Sequence, residues 1–76
     1  MEEHVIDVGG IPASLRPEKV KQGLMGIPSG EQVKIVSDDE RMQKLAPKMV
    51  ASIGGADFIR VYKGEDGFYY TIVKKQ

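Results

Sequence analysis

The chain has 76 residues, with eleven Lys and Arg against eleven Asp and Glu, and therefore no formal net charge. A chain this short buries only about 60% of the surface that its unfolded form exposes, so its core is thin and leaves little room for a deep ligand pocket. Cysteine is absent and His4 is the single histidine, which excludes disulfides, thiolate zinc sites and thiol nucleophiles. The neutral charge balance disfavours duplex DNA as a partner.

Neither a leader nor a membrane span is predicted. The start, Met1-Glu2-Glu3-His4, is acidic where a secretory leader is basic, and no apolar run approaches the roughly 18 residues of a membrane span. We therefore expect a cytoplasmic chain without membrane contact. No repeat or linker divides the sequence, which predicts a single domain over residues 1–76.

A short strand and a helix are predicted first. The run His4-Val5-Ile6-Asp7-Val8 favours a strand, which Gly9-Gly10 ends. Three apolar residues then recur at the i, i+4, i+7 spacing of one helix face: Val20, Leu24 and Ile27. This pattern predicts a helix from about Ser14 to Met25, with Ser14 as its N-cap and Pro17 in the tolerant first turn. Met25 falls beside the apolar face, and we expect it to be partly exposed.

A second strand and a second helix follow. The alternation in Gln32-Val33-Lys34-Ile35-Val36-Ser37 predicts a strand. After it, Asp38-Asp39 is typical of a helix cap, and the apolar stripe beyond comprises Met42, Leu45, Met49, Val50 and Ile53. Because proline lacks an amide hydrogen and clashes with the carbonyl four residues back, we expect Pro47 to interrupt this segment. The prediction is a short turn through Leu45 and then a main helix from Pro47 to Ile53.

Two further strands complete the predicted fold. Ala56 to Lys63 and Phe68 to Lys74 are β-rich, and Gly64-Glu65-Asp66-Gly67 between them is a plausible hairpin connection. The order βαβαββ predicts a two-layer α/β sandwich, with a four-stranded mixed sheet and both helices on one face. The expected core comprises Val20, Leu24, Ile35, Leu45, Met49, Val50 and Ile53.

Several turn and cap residues share one register with a known family. They are Asp7, Gly10, Pro28-Ser29-Gly30-Glu31, Asp38-Asp39, Ala46-Pro47, Gly54 and Asp66-Gly67-Phe68-Tyr69. In this register, over about His4 to Lys75, the chain resembles the TusA/SirA/YhhP-like small sulfur-carrier proteins. The pattern of that family is roughly Asp-x-x-Gly-x-x-Cys-Pro-x-Pro, then Pro-x-Gly-Glu, an Asp-Asp turn, Ile-Pro, a helix-ending Gly and Asp-Gly-x-Tyr. The resemblance implies the same βαβαββ sandwich.

The chain departs from this pattern where the family carries sulfur. Ala13-Ser14-Leu15-Arg16 stands in place of Cys-Pro-x-Pro, so Ala13 occupies the position of the persulfide-bearing cysteine. Because alanine cannot carry sulfur, we expect neither sulfurtransferase activity nor a cofactor. The leading hypothesis is that the chain is a non-catalytic protein-docking module. The resemblance implies a link between this module and sulfur metabolism. Its partner is expected to cover the start of helix one and the turn after strand two, at Ala13, Ser14, Arg16, Lys19 and Asp39.

Two other functions stay open. The chain could be a sulfur-relay carrier whose acceptor cysteine has been replaced at Ala13, although Ser14 and Arg16 break the motif as well. It could also be a small RNA-binding module that uses aromatic residues of the last strand, an alternative that the neutral charge disfavours.

No metal site or hydrolytic site is predicted. Asp38-Asp39-Glu40 offers the oxygen ligands that Mg²⁺ and Ca²⁺ prefer, but acids at a helix start are more often caps favoured by the helix dipole. His4, Asp7 and Ser14 are the residue types of a hydrolytic triad, yet strand alternation puts His4 and Asp7 on opposite faces.

Overall fold

The computed structural model describes residues 4–76, so the acidic start, residues 1–3, lies outside it. The elements in chain order are β1 (His4–Asp7), a 3-10 helix (Ala13–Leu15), α1 (Arg16–Met25), β2 (Gln32–Ser37), α2 (Met42–Ile53), β3 (Ala56–Lys63) and β4 (Tyr69–Lys75). The predicted order βαβαββ is confirmed. Within the described part of the chain, no helix has the length and apolarity needed to cross a bilayer.

The four strands form one mixed sheet in the order β1-β2-β4-β3. β1 and β2 are parallel, while β4 pairs antiparallel with both β2 and β3. The predicted hairpin joins β3 to β4, and its loop is closed by the Gly64 amide, which donates to the Phe68 carbonyl at 2.8 Å. The last strand therefore lies inside the sheet, between β2 and β3.

Both helices pack on the same face of this sheet, as predicted. Val20 and Leu24 of α1 share one buried cluster with Val50 of α2 and with Ile6, Val33, Ile35 and Val73 of the strands. α1 lies unusually close to β1, because a Cβ atom added at Gly23 would be only 2.7 Å from the Cδ1 atom of Ile6. The result is a two-layer sandwich, in which none of the helices formed by residues 4–76 covers the opposite sheet face.

α2 runs without a break from Met42 to Ile53 and contains Pro47, so the predicted interruption is wrong. Proline at this position has no amide hydrogen and so cannot form the helical hydrogen bond to the carbonyl of Gln43, four residues back; Gln43 is an exposed residue. A proline inside a helix costs about 3 kcal/mol. Burial of Met42 and Val50 on the sheet offsets that cost, since full burial of each such side chain contributes roughly 1.5–3 kcal/mol.

The continuous helix also corrects the predicted core. Leu45 is 47% exposed rather than buried. At 3.6 residues per turn it lies about 100° around the helix from Ala46, the centre of the stripe that Met42, Ala46 and Val50 bury. Ala46 takes the core position instead, while Met49 and Ile53 pack against the core as partly buried side chains.

The start of α1 differs from prediction at Ser14. The 3-10 helix Ala13–Leu15 precedes α1, Leu15 is the N-cap of α1, and no side chain caps either helix. Ser14 lies within the 3-10 turn, so it is already part of the helical run and is not its cap. The prediction for Pro17 is confirmed, because it occupies the first turn of α1.

Candidate functional site

An ion pair joins the two segments that the sequence placed at one site. An Arg16 guanidinium nitrogen at the start of α1 donates to an Asp39 carboxylate oxygen, in the turn after β2, at 2.9 Å. The Arg16 Nε atom donates to the carbonyl of Ile11 at 2.9 Å. Both charged side chains are largely covered, with 12% and 14% of their surface exposed. Arg16 therefore fastens the loop before α1 to the turn before α2.

A second arginine completes this cluster from the other side of the carboxylate. The Arg41 guanidinium donates to both Asp39 oxygens at 2.7–3.1 Å, and the Arg41 amide donates to Asp39 Oδ1 at 2.9 Å. The hydrogen bond from the Arg41 amide to the Asp39 side chain forms an Asx-turn, in which an aspartate side chain accepts from the backbone amide two residues later. Ser37 stabilises this turn, because its buried hydroxyl accepts a hydrogen bond from the Asp39 amide at 3.1 Å.

These hydrogen bonds fix the charge state of the cluster. The Arg41 guanidinium, and after it that of Arg16, hold the pKa of the Asp39 carboxyl well below its usual range. Asp39 in turn raises the pKa of Arg41. With its pKa lowered, the Asp39 carboxylate carries no proton to donate near neutral pH and is a weak base, so it is poorly suited to acid or base catalysis there.

Beside the cluster, an open groove of about 300 Å³ lies between the start of α1 and the first turns of α2. Its lining residues are Ala13, Arg16, Pro17, Met42, Leu45, Lys48 and Met49. Five of the seven are apolar, and the side chain of one of them, Leu45, is exposed. This volume is at the lower end of the range for ligand pockets.

The structure brings together some of the predicted site residues and not others. Ala13 and Arg16 line the groove, and Asp39 is held against Arg16. Ser14 and Lys19 are exposed and are not among the lining residues. The Arg16 guanidinium is already engaged with Ile11 and Asp39, and the contact of Arg16 with a partner stays a prediction.

Sequence reasoning missed the α2 side of the groove. The apolar stripe predicts Leu45 and Met49 in the core and gives no role to Lys48. One signal was available: all the charged residues of α2, Lys44 and Lys48, are cationic. That pattern marks a positively charged helix surface, but it does not reveal which segment faces the helix.

The helix-free sheet face carries two stacked tyrosines. The ring centroids of Tyr62 and Tyr70 are 5.4 Å apart, with the planes inclined by 24°. Lys34 Nζ lies 5.3 Å from the Tyr70 centroid. Lys34 of β2 and Tyr62 of β3 thus both lie against Tyr70 of β4, the strand between them. Because Tyr62 already stacks on Tyr70 and Lys34 lies against the same ring, this geometry gives little support to the RNA alternative.

The Tyr70 hydroxyl is also engaged, because it donates to the Asp66 carboxylate in the hairpin loop. This hydrogen bond raises the pKa of Tyr70 and lowers the pKa of Asp66. Tyr70 thus ties the hairpin to the sheet.

His4, Asp7 and Ser14 do not form a triad. His4 pairs with Glu31, and Asp7 accepts from the Gly9 amide at 2.8 Å. Among residues 4–76, no group of three or more histidine, aspartate or glutamate side chains could hold a metal ion. No model of a known protein family matches the chain, and a comparison with curated proteins gives no significant match.

Proposed function

We propose that this chain is a cysteine-less relative of the TusA/SirA-like sulfur-carrier proteins and works as a non-catalytic protein-docking module. The βαβαββ order and the mixed four-stranded sheet support the relationship, because the resemblance implies the same sandwich. A cytoplasmic location belongs to the same proposal, since a chain without cysteine shows no adaptation to an oxidising compartment.

The observation that carries the proposal is the apolar groove beside the Arg16–Asp39 pair. Ala13, which shares its register with the sulfur-bearing cysteine of the resembling family, lines this groove. The surface that corresponds to the sulfur-transfer site of that family is thus available in this chain for binding a partner protein without transferring sulfur. The ion pair helps to keep the groove in shape, because it connects the segment before α1 to the turn before α2.

Sulfur transfer by the chain itself is not part of the proposal. A persulfide forms on a thiol, and the chain has no cysteine. The two sulfur atoms at the groove belong to Met42 and Met49, whose thioethers cannot form a persulfide. Any link to sulfur metabolism would therefore act through a bound partner.

The proposal is tested with two glutamate substitutions on exposed apolar side chains. Leu45 lines the groove, whereas Met25 is 75% exposed and lines a smaller cavity formed by the end of α1, the end of α2 and Lys75. A partner captured from native lysate by the wild-type chain and by Met25→Glu should be lost with Leu45→Glu. Calorimetry with the purified partner then measures the difference, which we expect to exceed tenfold in affinity.

The wild-type pattern of amide resonances in both variants shows that each remains folded. If Leu45→Glu retains its partner at wild-type affinity, or if the wild-type chain captures no protein, the groove is not a docking site and the proposal is wrong.

A further inference from the structure

The charge around the groove is unbalanced. Its lining contains two cations, Arg16 and Lys48, and no acid. Arg16 pairs with Asp39, which it shares with Arg41, whereas Lys48 is exposed and forms no ion pair with any of residues 4–76. Lys44, one helical turn earlier, adds a second positive charge to the same helix, which has no acidic residue. One rim of the groove is therefore positive.

The inner surface of the groove is suited to an apolar side chain. Met42 and Met49 lie below, and their unbranched thioether chains adjust to the shape of whatever enters. Leu45, which lines the groove, remains 47% exposed, so a side chain that entered the groove and packed on it would remove apolar surface from water. A volume of about 300 Å³ suits a short segment of polypeptide rather than a large ligand.

We propose that the groove binds one large apolar side chain of an extended partner segment in which the residues that follow are acidic and lie against Lys48. This inference rests on the proposed function of the groove as a docking site, and it adds the chemistry of the partner. An apolar anchor supplies most of the affinity, because an exposed ion pair contributes only about fivefold or less. The ion pair supplies selectivity, since a basic segment would meet Lys48 with like charge.

Four acetylated hexapeptides test this inference by titration into the ¹⁵N-labelled chain. The reference peptide is Gly-Ser-Phe-Asp-Asp-Gly, and the other three replace Phe by Ala, both Asp by Lys, or both Asp by Ser. We expect the reference to shift the amide resonances of Ala13, Leu45 and Met49. The Ala peptide should bind at least tenfold more weakly, and the Lys peptide should bind several-fold more weakly than the Ser peptide.

The variant Lys48→Glu then tests whether Lys48 is the residue that interacts with the charged side chains of the peptide. This substitution should reverse the order, so that the Lys peptide binds more tightly than the Asp peptide. The matched control is Lys21→Glu, which changes the net charge by the same amount on an exposed helix position that lines the smaller cavity. In that variant the original order should persist.

The outcomes separate this inference from the proposal that underlies it. Equal binding of the Asp and Lys peptides at the groove would overturn the acidic-partner inference and leave the docking function intact. An unchanged order of binding in Lys48→Glu would overturn the acidic-partner inference in the same way. If no peptide shifts the groove amides while Leu45→Glu still abolishes capture of a protein partner, the inference alone fails. If Leu45→Glu also leaves capture unaffected, the docking function fails with it.

Discussion

Thr71 carries a buried hydroxyl group that has no hydrogen-bond partner among residues 4–76, and replacing it should stabilise the protein. The residue lies on β4 between Ile35 of β2 and Val61 of β3, and only 1% of its surface is exposed. Its Oγ1 atom is buried and has no hydrogen-bond partner among the described residues. A buried polar group in this condition loses its hydrogen bonds to water and regains none on folding.

The size of the effect follows from that loss. An unsatisfied buried donor or acceptor costs about 1–3 kcal/mol, and a methyl group in its place gains apolar burial. Thr71→Val keeps the branched Cβ atom and therefore the strand preference of the site. We expect the free energy of unfolding to rise by about 1–2 kcal/mol. For a domain of 60–100 residues this corresponds to an increase in Tm of about 4–16 °C.

Urea and thermal unfolding followed by circular dichroism measure the change. The control is Thr71→Ser, which keeps the hydroxyl and removes the methyl group, and which should lower stability by about 1 kcal/mol. A Thr71→Val variant that is no more stable than wild type would refute the reasoning, because it would show that a water molecule satisfies the hydroxyl in solution.

Close contacts and charges give three further predictions. Gly23→Ala should destabilise by about 1–3 kcal/mol in thermal unfolding, despite the better helix propensity of alanine. Its Cβ atom would lie 2.7 Å from Ile6 Cδ1 and 2.9 Å from Ile6 Cγ1, and Ile6 is buried in the core, which restricts its movement away. A stability gain would contradict this prediction. Asp39→Asn should lower the free energy of unfolding at neutral pH, and its difference from wild type should narrow as the pH falls below about 4. The reason is that a carboxylate with a lowered folded-state pKa stabilises the fold only while it is ionised. If urea unfolding shows a difference that does not change with pH, the prediction is wrong. Ala13→Cys should place a thiol at the start of the helical run with a pKa below about 8.5, measured by the pH dependence of alkylation, whereas an unshifted pKa would mean that the helix dipole does not act there.

Local sequence patterns were enough to predict the elements and the layer architecture. The alternation in Gln32–Ser37 and the β-rich run Ala56–Lys63 predicted two strands with the observed bounds. The helical spacing of Val20 and Leu24 predicted the buried face of α1. Such patterns are local, since each reports which face of a single element is apolar, and two helices with four strands leave few ways to cover one sheet face.

Tertiary packing prevailed where local rules conflict. Pro47 argues against a helix, but the sheet buries Met42 and Val50 strongly enough to keep α2 continuous. That continuity sets the rotation of the helix, and the rotation places Leu45 outside the core. The sequence pattern on α2 fits either position for Leu45, because it does not fix the rotation of the helix on the sheet.

The candidate site likewise exists only in three dimensions. Arg16 and Asp39 are 23 positions apart in the sequence, and their pairing requires that β2 lie beside β1 so that the turn after it meets the start of α1. The groove needs the flanks of two helices at a particular separation. The charge on Lys48 was visible in the sequence, whereas its place at the rim of an apolar groove depends on long-range packing, which no local pattern encodes.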